Sequence, residues 1–579
     1  MNTTTKQGPS LPISEELHAL KYRQSNETFR EAMSRIADAL KDDEGHYHSF
    51  REILLDMRFL PAGRVQAAMG AARQVTPYNC FVSNTIPDSM KGIMDAATRA
   101  AETMRLGGGI GYDFSTLRPK GDLIASIDSP SSGPVSFMHI YDAVCGTVAS
   151  AGHRRGAQMG VLRIDHPDIE EFIRAKQNTT KLTNFNISVG VTDEFMDCLK
   201  NDKPFSLRWG GRVYRQVSAK ALWSELMRST WDYAEPGVLF IDTINRMNNL
   251  AYCEELAATN PCAEQPLPPN GACLLGSFNL VRYLRMGAID TYWQFDYEKF
   301  ISDIPLVVRA MDNIVDRALY PLPEQKEEAK SKRRMGLGVT GVANALEAMG
   351  YSYGSPKFLN ELERILKTLA NEAYRASAML AGEKGPFPLF YPIAWANGAA
   401  YTSPTGPFTD KLDGEVRRLI VEHGLRNSHL LSIAPTGTIS LTADNISSGI
   451  EPVFSHSFTR TIQTPEGPRF EVVEDYGAKV LGVKGKTADQ CSVDDHLNVL
   501  LLASKWVDSA VSKTCNVGPD VSFEEFKNIY IKAYEGGAKG CTTFRASGKR
   551  QGILNTTAPQ EGEGAACYID PTTGKKTCE

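Results

Sequence analysis

The sequence predicts an α/β protein organised around a largely parallel sheet. Short apolar runs with strand character, such as Cys80-Phe81-Val82 and Ile187-Ser188-Val189-Gly190-Val191, alternate with helical periodicity at 91–105 and 220–233. Gly-rich turns separate them, and neither a short-period repeat nor a low-complexity tract interrupts the body. With 42% apolar and 23% charged residues over 579 positions, the chain has the composition of a soluble globular protein.

In chain order, residues 1–58 read as a short helical region. Phe29, Ala32, Met33, Ile36, Ala37 and Leu40 fall at the three- and four-residue spacings of one helix face. The character changes at Phe59-Leu60-Pro61-Ala62-Gly63, and a body of strands and helices then runs from 59 to 554. From 555 to 579 the chain is rich in Gly, Lys, Thr and Glu and reads as a flexible tail. Cys567 and Cys578 nevertheless lie in that tail, where packing has no use for a thiol, so a redox role is expected of them.

Charge and targeting features narrow the function. A net charge of −5 without a long basic block argues against nucleic-acid binding. No run of about 18 apolar residues suggests a membrane span, and the first residues lack the apolar stretch of a secretory signal. A cytoplasmic protein is expected, with its eleven cysteines mostly reduced. No CxxC pair occurs, so neither a zinc ribbon nor a thioredoxin motif is supported and no metal site is expected.

The chemistry concentrates in NPCAEQPLPPNGAC, residues 260–273. Its prolines exclude a regular helix and favour an extended loop. In an extended chain alternate side chains share a face, so Asn260, Cys262 and Glu264 would present an amide, a thiol and a carboxylate together. Cys273 follows a turn at Pro269-Asn270-Gly271 and could fold back toward them. On spacing alone, a Pro-rich surface loop with two incidental cysteines remains an equal alternative. Pro435-Thr436-Gly437-Thr438-Ile439-Ser440 offers N–H groups and hydroxyls suited to phosphate, although such a string is more often a turn or helix cap. Gly107–Gly109 and Gly111 follow a helical stretch, not a strand, so a dinucleotide fold fails its context test.

Seven segments, in order and at sensible spacing over roughly residues 50–554, resemble the catalytic chain of ribonucleotide reductases. They are YNCFVSNTIPDSM (78–90), LGGGIGYDFSTLRPKGD (106–122), SGPVSFMHIYDAV (132–144), RRGAQMGVLRIDHPDIEEFI (154–173), NPCAE with a cysteine eleven residues after its own, RRMGLGVTG (333–341) and IAPTGTISLTADNISSGIEPVF (433–454). The resemblance implies a ten-stranded α/β barrel with a central finger loop. In it, Cys262 would carry a transient thiyl radical that removes the ribose 3′ hydrogen. Cys80 and Cys273 would reduce the 2′ carbon, Glu264 would act as base at the 3′ hydroxyl, and Asn260 would orient the ribose. Ala62, Gly108, Gly109 and residues 435–440 would contact the ribonucleotide substrate. Cys567 and Cys578 would reopen the resulting disulfide, with thioredoxin or glutaredoxin as external reductant, although their spacing is wider than the family's usual tail pair.

Regulation is implied in the same way. Asp88, Ser89 and Arg118 fall where a deoxynucleotide or ATP specificity effector would bind, and Gln177, Asn178 and Lys181 would lie in the loop linking effector to substrate. The 182 residues from Cys80 to Cys262 leave little room for the inserted domain of monomeric relatives, so a homodimer is expected. About 50 residues precede the matching region, too few for an ATP-cone, so no overall dATP inhibition through a cone is expected.

The radical source is read by comparison with the three known classes. Arg545-Ala546-Ser547-Gly548 does not resemble a glycyl-radical segment. Gly540-Cys541-Thr542-Thr543-Phe544-Arg545 lacks the tyrosine pair through which a metal-containing subunit acts. KGCTTFRASGKRQGIL and APTGTISLTADNISSGIEP resemble the adenosylcobalamin-dependent class II, which does not normally use the DxHxxG motif that is missing here. The alternatives are a class I large subunit and a nucleotide-binding relative without catalysis. Retention of the five catalytic-type residues counts against the second.

Overall fold

A computed structural model describes residues 7–148, 156–287, 292–397, 408–464, 467–545, 567–569 and 576–578. Three helices open the chain: α1 (Pro12–Tyr22), α2 (Phe29–Leu40) and α3 (Glu44–Leu55). Thr28 and Glu31 close a reciprocal capping box at the start of α2, and the Asp43 side chain accepts the His46 N–H to start α3. The apolar face foreseen for α2 is the buried one.

The body is a mixed α/β structure. The strands of its two larger sheets are β1 (Phe59–Pro61), β2 (Cys80–Val82), β3 (Gly109–Asp113), β4 (Gln158–Arg163), β5 (Phe185–Val191), β6 (Gly237–Phe240), β7 (Ala272–Cys273), β8 (Leu275–Asn279), β9 (Gly336–Thr340), β10 (Thr514–Val517) and β11 (Gly540–Arg545). Eight of them form one sheet in the order β7-β2-β3-β4-β5-β6-β11-β10, and β1-β8-β9 form a second. In the larger sheet all neighbours are parallel except β7 with β2 and β6 with β11. Isolated bridges join Leu337 to Leu431 and Ile433 to Val511, and only Leu274 separates β7 from β8.

Alternation along the strands divides the interior. In β4, Met159 and Val161 join one apolar cluster with Cys80, Cys273 and Leu275, whereas Leu162 joins a second with Phe195, Trp223 and Leu226. In β6, Leu239 faces the first cluster and Val238 and Phe240 the second. Both faces are covered, so these strands read as continuous apolar runs. Each buried Leu or Val contributes about 1.5–3 kcal/mol relative to exposure. Helix α4 (Gly63–Ala68) follows β1, and α5 (Met90–Arg105) carries the chain from β2 to β3.

Among the described residues no helix is long and apolar enough to cross a membrane. Most of the tail expected over 555–579 lies outside the described residues, as do Ala546, Ser547 and Gly548 and the arginines 154 and 155. Within the tail, Cys567–Ile569 and Lys576–Cys578 pair as an antiparallel ladder whose register sets Cys567 opposite Cys578.

Candidate active site

Strands β2 and β7 run antiparallel with Cys80 directly opposite Cys273. Directly opposed residues in such a ladder have Cα atoms about 4.5–5.5 Å apart, within the reach of a disulfide. Both are present as thiols, and they are 4% and 0% exposed. The ladder therefore presents a buried dithiol that can close with little backbone movement.

The 260–273 loop is not the extended chain expected from its prolines. Ala258-Thr259 pairs with Pro266-Leu267, and the segment between them is a tight turn. The Ala263 N–H donates to the Asn260 carbonyl (3.0 Å), and Ala263 adopts φ 65°. The Asn260 side chain closes the turn, its Oδ1 accepting the Gln265 N–H at 3.0 Å. That bond fixes the amide orientation and leaves Nδ2 buried, without an acceptor among the described residues. Cys262 and Glu264 both line a cavity of about 390 Å³ while Asn260 is fully buried behind it, so simple alternation is not what groups the three.

Backbone contacts hold the loop in place. A Cβ built on Gly111 of β3 would lie 1.8 Å from the Thr259 carbonyl oxygen, so only glycine lets the loop approach this strand. The Asn186 Nδ2 donates to the Pro261 carbonyl (3.1 Å), and the Ala510 N–H donates to the Glu264 carbonyl (2.9 Å). The segment carrying Ala510 also braces residues 430–433. The buried Asp508 carboxylate accepts the N–H groups of Leu430 (2.7 Å) and Leu431 (3.0 Å) and the Tyr374 hydroxyl (2.7 Å), and the Ala510 carbonyl accepts the Ile433 N–H (3.1 Å). Burial pulls Lys539 down to about 7; its ammonium donates to the Asp508 carbonyl at 2.5 Å. We expect Gly111→Ala to destabilise the protein by about 1–3 kcal/mol. Gly190→Ala, whose new methyl would meet nothing closer than 3.7 Å, should be neutral or stabilising. Thermal midpoints of the two variants test this, and equal midpoints would refute the close approach.

Residues 435–439 line the same cavity, as do Ala62 and Cys80. Thr436, at φ 53°, is braced from within: its hydroxyl accepts the Gly449 N–H at 2.7 Å and meets the hydroxyls of Thr340 (2.9 Å) and Ser440 (3.0 Å). Thr438 is partly exposed on the lining, whereas Ser440 is buried and lies outside it. Gly108 and Gly109 do not line the cavity either. Gly108 packs on Phe81, and a Cβ on Gly109 would lie 3.2 Å from the Pro261 ring and 3.4 Å from the Cys80 sulfur.

The six residues expected around an effector lie elsewhere. Arg118 Nε donates to Asp88 Oδ2 at 2.7 Å and its backbone N–H to Oδ1 at 3.1 Å, while Ser89 caps α5 by accepting the Gly92 N–H. Gln177, Asn178 and Lys181 sit in an exposed run of turns, and none of the six reaches the cavity. Sequence reasoning missed other lining residues, Lys21, Tyr22, Arg64 and Arg73. They sit in or just after the N-terminal helical region, where nothing in the local pattern marks them.

Known proteins resemble the chain over most of its length. A family profile described as "Ribonucleotide reductase, barrel domain" matches residues 78–544. The chain is 33% identical over 573 residues to a vitamin B12-dependent ribonucleoside-diphosphate reductase of Mycobacterium tuberculosis (strain CDC 1551 / Oshkosh), covering 92% of this chain and 78% of that one. It is 32% identical to the protein of the same name from Thermoplasma acidophilum, with 93% and 70% covered. A vitamin B12-dependent ribonucleotide reductase of Streptomyces clavuligerus is 28% identical, with 95% and 64% covered.

Proposed function

The chain belongs to the ribonucleotide reductase family, and we propose from this that it reduces ribonucleotides to 2′-deoxyribonucleotides with adenosylcobalamin as radical source. The relatives' names point to a nucleoside diphosphate as substrate. The observation that carries the reading is the buried Cys80–Cys273 pair, opposed across a ladder beside a cavity that Cys262 and Glu264 also line. We read the two sheets as one ten-stranded barrel around the finger loop. The near-continuity of β7 with β8 and the bridges at Leu337–Leu431 and Ile433–Val511 support that reading.

The residues fit the cofactor. A thiol activated from outside the protein must be reachable, and Cys262 is only half-buried on a cavity open to solvent, whereas Cys80 on the same lining is almost wholly buried and Cys273 lies outside it. Strand β11 carries no tyrosine for a relay through the protein. When bound, adenosylcobalamin supplies one-electron chemistry by homolysis of its cobalt–carbon bond.

In the proposed reaction, Cys262 removes the 3′ hydrogen atom and later returns one. Glu264 takes the 3′ hydroxyl proton, and Asn260, whose Oδ1 is engaged by the Gln265 N–H, is assigned to orient the ribose through its amide Nδ2. The 2′ hydroxyl leaves as water, with two electrons from Cys80 and Cys273, which end as a disulfide. Burial of the dithiol keeps its two thiols from solvent, so that they meet the substrate and not a dissolved oxidant.

Reopening that disulfide is assigned to Cys567 and Cys578, with thioredoxin or glutaredoxin as final donor. Their opposed backbone positions in the tail ladder support a cooperating pair despite the eleven-residue separation. Asp88, Ser89 and Arg118, with Gln177, Asn178 and Lys181, are proposed to read a deoxynucleotide or ATP effector, the Asp88–Arg118 ion pair fixing two of them together. We further propose a homodimer working in the cytoplasm, where thiols stay reduced.

Nucleotide reduction assayed with and without adenosylcobalamin tests the reading. Activity that depends on the cofactor is expected. Activity only with an added metal-containing subunit would replace class II with class I, and none under either condition would favour a nucleotide-binding protein without catalysis.

A further inference from the structure

Resting on the reading of the cavity as a nucleotide site, we propose that α1 completes its phosphate end and that Lys21 binds the substrate's phosphates. Helix α1 is fastened directly to the segment that follows residues 435–439. Ser14 Oγ donates to the Leu441 carbonyl at 2.7 Å. The buried Asp444 carboxylate accepts the N–H groups of Ser10 (2.7 Å) and Leu11 (2.9 Å) and the Ser10 hydroxyl (2.9 Å). Ile13 and Leu17 share an apolar cluster with Leu441.

The opposite side of α1 is fastened to the start of the body. The His18 ring meets Gln66 Oε1 at 2.9 Å, and Gln66 Nε2 donates to the Pro61 carbonyl at 2.7 Å. A Cβ built on Gly63 would lie 2.7 Å from the Tyr22 ring, so α4 and the end of α1 are in close contact. Held on both sides, the helix ends with Lys21 and Tyr22 on the lining that also carries Thr436, Thr438 and Cys262.

Charge balance gives Lys21 its task. Residues 436–438 can donate hydrogen bonds but carry no charge, while a nucleoside diphosphate brings several negative charges. Among the described residues, Glu264 is the one acid on the lining, and Lys21, Arg64 and Arg73 are its cations. Arg64 is 7% exposed with its guanidinium against Gly107. Arg73 is exposed. Lys21 is partly exposed, on a helix bonded to residues 441 and 444, so its position is tied to the 435–439 loop. A last-turn lysine also complements the carbonyl end of its own helix, and the test must separate that role from phosphate binding.

The experiment compares Lys21→Met and Lys21→Arg in the full chain. It measures calorimetric affinity for a nucleoside diphosphate and for the same nucleoside without phosphates, together with KM, kcat and the thermal midpoint. We expect Lys21→Met to weaken diphosphate binding by about tenfold or more, with nucleoside affinity held and the kinetic loss falling chiefly on KM. Lys21→Arg should recover most of the diphosphate affinity. Unchanged diphosphate affinity, or an equal loss for nucleoside and nucleotide with a lowered midpoint, would overturn the proposal. The binding measurement needs no turnover, so a chain that binds nucleotides but does not reduce them defeats the proposed reaction without touching this result.

Discussion

Cys262→Ser should leave no measurable deoxynucleotide formation while nucleotides still bind. Serine matches cysteine closely in size, and the position is a half-buried turn residue on the cavity lining, so the fold has little reason to change. The loss is chemical. An O–H bond is stronger than an S–H bond, so the hydroxyl does not give up its hydrogen atom under conditions that suit a thiol. A fall of at least about 10⁴-fold in kcat, near 5.5 kcal/mol on the barrier, is expected with substrate affinity within about twofold of wild type. Steady-state assays paired with calorimetry decide the matter; a variant within tenfold of wild type would remove Cys262 from the reaction.

Cys80→Ser and Cys273→Ser should each end sustained turnover by a different route. Neither variant can form the disulfide that closes the electron balance. In the wild type, substrate and cofactor without external reductant should yield one Cys80–Cys273 disulfide per active site, detected as a linked peptide pair by mass spectrometry. Either serine variant should yield none. Both positions are buried, and a hydroxyl left there without a partner costs about 1–3 kcal/mol. Thermal midpoints therefore accompany the chemistry, so that lost function is not mistaken for lost folding. A serine variant that keeps cycling would show that another thiol supplies the electrons.

The strands and helices were legible because their signals are local. Apolar spacing marked α2 and its buried face, and the helical runs at 91–105 and 220–233 appear as Met90–Arg105 and Ala219–Tyr233. Prolines in 260–273 excluded a helix but could not distinguish an extended chain from a hairpin. That choice depended on the Asn260 side chain bonding to Gln265 and on strand β3 offering Gly111 as a gap. Ser440 offers the same hydroxyl in sequence as Thr436 and Thr438, yet the fold spends it on Thr436 and Thr340 and leaves Thr438 on the cavity lining.

By itself the sequence determined the chemical inventory: the thiols of Cys80, Cys262 and Cys273, the carboxylate and amide beside Cys262, and the order of segments that resembles a ribonucleotide reductase. Periodicity and turn residues act over a few positions, so they reach no further than the element that holds each residue. Tertiary structure alone decided that Cys80 faces Cys273 across a ladder, that the Ala510 N–H backs Glu264, and that a helix near the N-terminus walls the cavity. Those outcomes depend on which distant surfaces pack together, and packing complementarity is a property of the assembled fold that no short window of sequence contains.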